Sequence, residues 1–119
     1  MAVSLEEFQK ALDSLDSALK VKKDDLVRDA VIQRFEFCVE LAWKSAKKKM
    51  GTASTAPKEV VREMAQNNYI SDVQFWLESI DKRNLSSHTY NESLAEEVYE
   101  FALRFAPEAK KLLEKLQTA

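Results

Sequence analysis

One short stretch of the sequence brings together several side chains suited to phosphate chemistry, Arg83-Asn84-Leu85-Ser86-Ser87-His88-Thr89-Tyr90. An arginine can hold phosphate oxygens through two parallel N–H groups, and a histidine can accept or donate a proton near neutral pH. Arg83 and His88 are five positions apart, which on an unbroken helix would turn their side chains about 140° away from each other. The two can face one cleft only if the chain turns between them.

Residues that favour a turn lie in this interval. Asn84, Ser86 and Ser87 compete with helical hydrogen bonding, so we expect a helix to end here and a new one to begin soon after. A guanidinium, an imidazole, hydroxyl groups and a helix N-terminus would then lie close together, which suits a phosphate. We therefore predict a candidate phosphate-binding site formed by Arg83 and His88, with Asn84 and Ser87 as further candidates to bind a substrate or nucleotide.

An ordinary interhelical loop would also explain this stretch. In that case Arg83 would pair with Asp81 or Glu78, and His88 would be satisfied locally. Tyr90 is open to two interpretations as well, because a tyrosine beside a helix start often packs against its neighbours without reacting.

The elements that must position these residues are helical throughout. The chain has 119 residues with one glycine and two prolines, too few turn-formers for an all-β or α/β fold. Apolar periodicity and helix-end signals predict five helices. The first is capped by Ser4 and Glu7, the second runs from about Leu26 to Met50 and is stopped by Gly51, and the third runs from Pro57 to Asn67-Asn68. The fourth is capped by Ser71 and Gln74 and reaches Arg83, and the last is capped by Thr89 and Glu92, with a kink or restart at Pro107. We predict an all-α, up-and-down four-helix bundle with an additional short helix, in one domain over residues 1–119.

The long second helix has more apolar surface than one small bundle needs. Its apolar residues spread over roughly two-thirds of the circumference, which favours contact with a second subunit and hence a homodimer. The alternative is that it is simply the central helix of the bundle. Arg34 projects from the apolar arc and would be costly there unless it meets a carboxylate or a bound anion, so we include it among the candidate binding residues.

Composition limits the remaining possibilities. Charged residues make up 32% of the chain but the net charge is −2, so no global basic field would hold a long nucleic acid. Cys38 is the only cysteine, which excludes an intrachain disulfide and fits a reducing compartment. No apolar stretch is long enough to span a membrane and no signal peptide is visible. We expect a cytoplasmic protein with no metal and no cofactor.

Wider sequence features resemble the nucleotidyltransferase substrate-binding family of the HEPN superfamily, which includes HepT-like toxins. The run from Arg83 to His88 is similar to the R-x4-6-H motif of HEPN domains, and Tyr90 extends it to R-x4-H-x-Y. The other matching segments occur in the order typical of the family: Arg28-Asp29, Ile32-Gln33-Arg34-Phe35-Glu36-Phe37, Glu40-Leu41-Ala42-Trp43-Lys44, Pro57-Lys58-Glu59-Val60, Trp76-Leu77 and Asn91-Glu92. Asn67-Asn68 departs from the smaller or glycine-containing turn expected there.

The resemblance implies a dimeric helical bundle with a separately encoded minimal nucleotidyltransferase as its partner. It further implies a metal-independent endoribonuclease of a toxin–antitoxin pair, in which Arg83 and His88 act on RNA and the partner enzyme adenylylates Tyr90. In such a dimer one His88 could act as base and the other as acid. A non-catalytic subunit that binds nucleotide or substrate for the nucleotidyltransferase is the alternative, and a module that only assembles is a third.

Overall fold

The computed structural model describes residues 5–118, which form five α-helices and one short 3-10 turn. The helices are α1 (Glu6–Leu19), α2 (Asp25–Met50), α3 (Pro57–Gln66), α4 (Val73–Leu85) and α5 (Glu92–Thr118), with the 3-10 turn at Ser86–His88 between α4 and α5. No strand occurs in this part of the chain, and α3 is the short additional helix. The predicted all-α fold is confirmed.

The core forms where α2 and α5 pack against each other, with α1 on one side and α3 and α4 on the other. Phe35 of α2 meets Phe101 and Phe105 of α5 edge to face, at ring-centroid distances of 5.9 and 5.1 Å. Trp76 of α4 adds a third such contact to Phe105 at 5.3 Å. Each aromatic pair of this kind contributes about 0.5–1.5 kcal/mol beyond area burial. This aromatic cluster therefore fixes both α2 and α4 against α5.

The ends of α2 and the start of α3 agree with the signals in the sequence. Asp24 caps α2 by accepting a hydrogen bond from the Val27 N–H, at 2.8 Å. Gly51 ends it with a φ of 68°, a left-handed conformation that glycine adopts at little cost. Pro57 occupies the first turn of α3, where its missing N–H is not needed.

Two of the predicted helix caps are wrong. Ser71 does not cap α4, because Asp72 accepts from the Phe75 N–H at 3.0 Å. Thr89 does not cap α5, because Asn91 accepts from the Leu94 N–H at 3.2 Å. Aspartate and asparagine cap helices at least as well as serine and threonine, and they lie closer to the first helical residue in both cases. Ser4, the cap predicted for α1, lies outside the described residues.

Of the kink or restart predicted at Pro107, the restart is wrong, since α5 runs without interruption through this proline. A proline inside a helix removes one N–H and leaves the carbonyl four residues earlier, that of Leu103, without its helical donor. Both Pro107 and Leu103 are exposed, so water can reach this stretch of the helix. The local cost is thereby reduced, and packing of the rest of α5 outweighs it.

Most of the apolar surface of α2 is buried within its own chain. Its buried apolar residues are Val31, Ile32, Phe35, Cys38, Val39, Ala42, Trp43 and Ala46. Among the other apolar side chains, Phe37 is 53% exposed and Leu26 82% exposed, while Leu41 is half-buried. The surplus apolar surface is therefore narrower than the sequence predicted. None of the described helices combines the length and apolar character required to cross a bilayer.

Cys38 belongs to this buried set. Burial raises the pKa of its thiol to about 12, so at neutral pH the sulfur stays protonated and is a poor nucleophile.

A cluster of charges joins the start of α2 to the start of α5. Arg28 is only 6% exposed, and its NH1 lies 2.8 Å from Glu92 Oε1 and 3.2 Å from Glu96 Oε1. Its Nε lies 3.3 Å from Asp29 Oδ1, and Lys23 also binds Glu96. The cluster fixes the start of α5, four residues after His88.

We expect Arg28→Met to lower the free energy of unfolding by about 1–2 kcal/mol, because it removes charge-assisted hydrogen bonds and leaves neighbouring carboxylates to repel one another. Urea denaturation of both proteins measures this. Arg62→Met on the exposed surface of α3 is the matched control, and an equal loss there would contradict the role assigned to Arg28.

The same variant should be less sensitive to acid. Hydrogen bonds from Lys23 and Arg28 lower the pKa of Glu96, so its stabilising contribution is present above the ordinary carboxyl pKa and is lost as pH falls through the lowered value. Between about pH 5 and pH 3 the stability of the wild type should therefore fall more steeply than that of Arg28→Met.

Candidate functional site

The turn after α4 is held against α2 by a buried serine. The helix ends at Leu85, and Ser86 opens the 3-10 turn with a hydroxyl 2.9 Å from Glu36 Oε2 and 2.6 Å from the Arg83 carbonyl oxygen. Its single proton can be donated to either acceptor. The break predicted between Arg83 and His88 is thus present, as one tight turn fixed at two points.

Arg83 forms its ion pairs with α2. Its Nε lies 2.7 Å from Glu40 Oε1 and its NH2 lies 3.7 Å from Glu36 Oε1. The Nε–H is buried and is not aimed at an acceptor in hydrogen-bond geometry, so the contact with Glu40 is an ion pair only. The guanidinium is about one-third exposed, and a phosphate that approached it would compete with these two carboxylates.

The alternative pairing of Arg83 with Asp81 or Glu78 is wrong. Asp81 Oδ1 instead lies 2.7 Å from Lys58 Nζ, and Glu78 Oε1 lies 3.8 Å from Lys82 Nζ. Both acidic residues are on α4 itself, whereas the partners of Arg83 come from α2, about forty residues earlier in the chain. A sequence offers no local signal for such a long-range pair.

His88 ends the 3-10 turn with an exposed imidazole. Its backbone carbonyl accepts from the Asn91 N–H at 3.2 Å, which joins the turn to the start of α5. Among residues 5–118 no side chain forms a hydrogen bond or ion pair with the ring; its one ring contact is with Tyr90, edge to face at 6.0 Å. Both ring nitrogens are therefore available to a ligand.

Tyr90 is 87% exposed, so the interpretation of it as a packing residue does not fit the structure. The other two tyrosines are less accessible, since Tyr99 is buried and Tyr69 is half-buried. The phenol of Tyr90 thus presents its hydroxyl to solvent beside His88.

Asn84 and Ser87 complete the exposed surface of the turn. Both side chains face solvent, and the Ser87 hydroxyl donates to the Asn84 carbonyl at 3.2 Å. The structure therefore gathers five of the six predicted site residues at one end of the bundle.

The sixth residue, Arg34, lies elsewhere on the chain. Its Nε donates to Ser14 Oγ at 2.9 Å and its NH1 to the Ala30 carbonyl at 3.2 Å, in the groove between α1 and α2. Glu36, which contacts Arg83, is two residues further along α2 and so points about 200° away around the helix. Within one chain, Arg34 and the turn with His88 do not share a face.

Three residues of the site were not predicted as such. Glu36 and Glu40 orient Arg83, and Ser86 ties the turn to Glu36. The sequence does contain a signal for the two glutamates. Carboxylates four residues apart lie on one face of a helix, and these two lie on the narrow polar strip that the apolar residues of α2 leave uncovered. In the part of the chain that the structure describes, no group of three or more His, Cys, Asp or Glu side chains is arranged to hold a metal ion.

Comparison with known proteins gives consistent similarities. The family described as nucleotidyltransferase substrate binding protein like matches residues 3–118. A protein named probable ribonuclease HepT, from Haemophilus influenzae, is 32% identical over 110 residues, covering 86% of this chain and 75% of that protein.

Two solved structures share the fold. A protein of Thermus thermophilus superposes with a TM-score of 0.84 at 30% identity, over 92% of this chain and 98% of that one. HI0074 of Haemophilus influenzae superposes with a TM-score of 0.83 at 28% identity, over 96% of this chain and 99% of that one. HI0074 is described as revealing the fold of a substrate binding domain of a nucleotidyltransferase.

Proposed function

Because this chain belongs to the nucleotidyltransferase substrate binding protein like family, we propose that it is the partner subunit of a separately encoded minimal nucleotidyltransferase and cleaves RNA as a metal-independent endoribonuclease of a toxin–antitoxin pair. The observation that carries this proposal is the exposed imidazole of His88, on a fixed turn that begins three residues after the oriented guanidinium of Arg83. Similarity to a probable ribonuclease HepT supports it.

The cleavage step needs only proton transfers and charge stabilisation. A base removes the proton of the ribose 2′-hydroxyl, the oxygen attacks phosphorus, the bond to the 5′-oxygen breaks, and an acid protonates that oxygen. Arg83 is suited to stabilise the extra negative charge on the phosphoryl oxygens. The products are a 2′,3′-cyclic phosphate and a 5′-hydroxyl.

One chain supplies one histidine for two proton transfers. Two copies related by a two-fold axis would supply a second His88, so that one imidazole acts as base and the other as acid. We therefore propose that the active species is a homodimer.

Incubation of the purified chain, without its partner and in EDTA, with end-labelled RNAs tests the proposal. Fragments ending in 2′,3′-cyclic phosphate and 5′-hydroxyl groups are expected. Intact RNA of every sequence tried would contradict it and would favour the second candidate function, which is binding of a nucleotide or substrate for the nucleotidyltransferase without catalysis. The ion pairs of Arg83 with Glu36 and Glu40 favour that candidate, because they reduce the positive charge available to stabilise the extra negative charge that develops during cleavage.

The dimer is tested by a variant of the exposed aromatic on α2. We expect the wild type to sediment at micromolar concentration with twice the 13.6 kDa chain mass, and Phe37→Glu to sediment as a monomer of unchanged helicity. A side chain already 53% exposed can become charged without disturbing the core, whereas burial of the new carboxylate between subunits is costly. Leu103→Glu, at an exposed apolar position on α5, is the matched control and should remain dimeric. A wild-type monomer would remove the dimer from the proposal.

A further inference from the structure

Three residues define the outer face of α2: Arg34, Phe37 and Glu40. Each follows the previous one by three positions, so Arg34 and Glu40 flank Phe37 at about 60° to either side, one of them just under one turn before it along the axis and the other just under one turn after it. The face therefore has an apolar centre, a positive charge on one side and a negative charge on the other.

Within the chain, Arg34 lacks a counter-charge. Its hydrogen bonds go to a hydroxyl and a backbone carbonyl, and no ion pair joins it to a carboxylate in the range from residue 5 to residue 118. The guanidinium is half-buried beside the exposed ring of Phe37. A partly desolvated cation of this kind gains from an external carboxylate.

Glu40 has one oxygen firmly engaged and one loosely. Its Oε1 lies 2.7 Å from Arg83 Nε, while its Oε2 has an exposed contact with Lys44 Nζ at 3.4 Å. Lys44 Nζ is more than half exposed and can be displaced at small cost. Glu40 can therefore accept a second arginine without losing Arg83.

We propose that two copies of this chain associate antiparallel through the outer face of α2, about a two-fold axis beside Phe37, with Arg34 of each copy reaching Glu40 of the partner subunit. About this axis, a residue that lies a given number of positions before Phe37 is level with the residue of the partner subunit that lies the same number of positions after Phe37. Arg34 and Glu40 are both three positions from Phe37. When the axes of the two helices lie about 8–10 Å apart, an arginine and a glutamate at these two positions can reach each other.

Other arrangements of the same face are electrostatically worse. An axis beside Leu41 would bring Arg34 level with Lys48 of the partner subunit, and a parallel arrangement would set Arg34 against its own copy. An axis beside Ala30 would bring Arg34 level with an apolar residue, Leu26 of the partner subunit. Charge complementarity thus selects both the partner, a second copy, and the register.

The proposal rests on the dimeric function proposed above and gives Glu40 a specific role in it. The carboxylate that meets Arg34 of the partner subunit is also the one that orients Arg83, so association and the placement of Arg83 depend on one side chain. Glu40 is thus a positioning residue that connects the interface to the site.

Charge reversal tests the register through oligomeric state, independently of RNA cleavage. In Arg34→Glu homodimers both paired positions are negative, and in Glu40→Arg homodimers both are positive. We expect each variant to dimerise at least about tenfold more weakly than the wild type. When the two variants are mixed, each pair regains opposite charges, so the mixture should form heterodimers about as strongly as the wild type forms homodimers.

Sedimentation and native mass spectrometry of the two variants, alone and mixed, measure this, with circular dichroism to confirm helicity. Arg62→Glu on α3 is the matched control and should leave the dimer unchanged. If Glu40→Arg loses helicity, Glu40→Gln keeps the side-chain shape and should still weaken association. Wild-type dimerisation in each single variant, or a mixture that remains monomeric, would overturn the register even if RNA cleavage is found. A restored heterodimer that cleaves no RNA would support the register and contradict the nuclease function.

Discussion

His88→Ala is expected to reduce RNA cleavage by roughly 10²–10⁴-fold, the usual contribution of a positioned general acid or base. The substitution removes both proton-transfer groups of a symmetric dimer at once, so the effect should lie at the upper end of this range. Because the imidazole is exposed and its ring packs edge to face with the exposed ring of Tyr90, helicity, unfolding temperature and dimerisation should stay as in the wild type. The initial rate of cleavage of a labelled RNA in EDTA measures the effect.

Arg83 should be equally important, and two variants separate its charge from its geometry. Arg83→Ala removes the cation next to Glu36 and leaves Glu40 with only its contact to Lys44, so its fold must be checked by urea denaturation. Arg83→Lys keeps the charge but loses the planar fork, and we expect it to cleave at least about tenfold more slowly than the wild type. Gln74→Ala, at an exposed position in the first turn of α4, is the control. Cleavage at the wild-type rate by His88→Ala would disprove the assignment of His88 as a catalytic residue, and the same result for Arg83→Lys would show that the planar fork of Arg83 is not required.

We propose that the partner nucleotidyltransferase adenylylates Tyr90, and we expect this modification to abolish cleavage and RNA binding. The phenol hydroxyl is exposed beside His88, so the partner enzyme can reach it without unfolding the chain. Transfer of an adenylyl group from ATP forms a phosphodiester on the tyrosine oxygen and releases pyrophosphate. The product adds bulk and negative charge where an RNA phosphate must approach, so it opposes binding by occlusion and by repulsion.

Peptide mass spectrometry after incubation with the nucleotidyltransferase, ATP and Mg²⁺ tests this modification. After cleavage at glutamate, which separates the tyrosines, the adenylyl mass should appear on the peptide that contains Tyr90 and not on those with Tyr69 or Tyr99, which are less accessible. Tyr90→Phe should cleave RNA like the wild type and should stay active after the same incubation. An unmodified Tyr90 peptide in the presence of an otherwise active partner would disprove the control of cleavage by adenylylation of Tyr90.

The sequence predicted the helices well because their signals are local. Gly51 and Pro57 determine helix ends through backbone conformations that few other residues tolerate, and the structure places both as expected. The caps of α4 and α5 were misplaced because two polar residues near each helix start compete to act as the cap. Residue type alone does not settle that competition.

Only part of the site was predicted, because the rest depends on contacts between distant parts of the chain. The turn between Arg83 and His88 follows from helix-competing residues, but what fixes it is the contact of Ser86 with Glu36, fifty residues earlier in the chain. The apolar surplus of α2 was overestimated because periodicity reports how much of a helix is apolar and not which neighbour covers it. Only the three-dimensional structure identifies Leu26, at the start of α2, and Phe37, at its middle, as the exposed large apolar residues.

The buried thiol of Cys38 can report how often the helices around it separate. As the only cysteine, it lies at the centre of α2 with no exposed surface and with its proton retained at neutral pH. An alkylating reagent can reach the sulfur only when the helices around it separate, so the rate of labelling follows the frequency of that separation. Any two forms of this protein can thus be ranked by how often their interiors open, with no added probe.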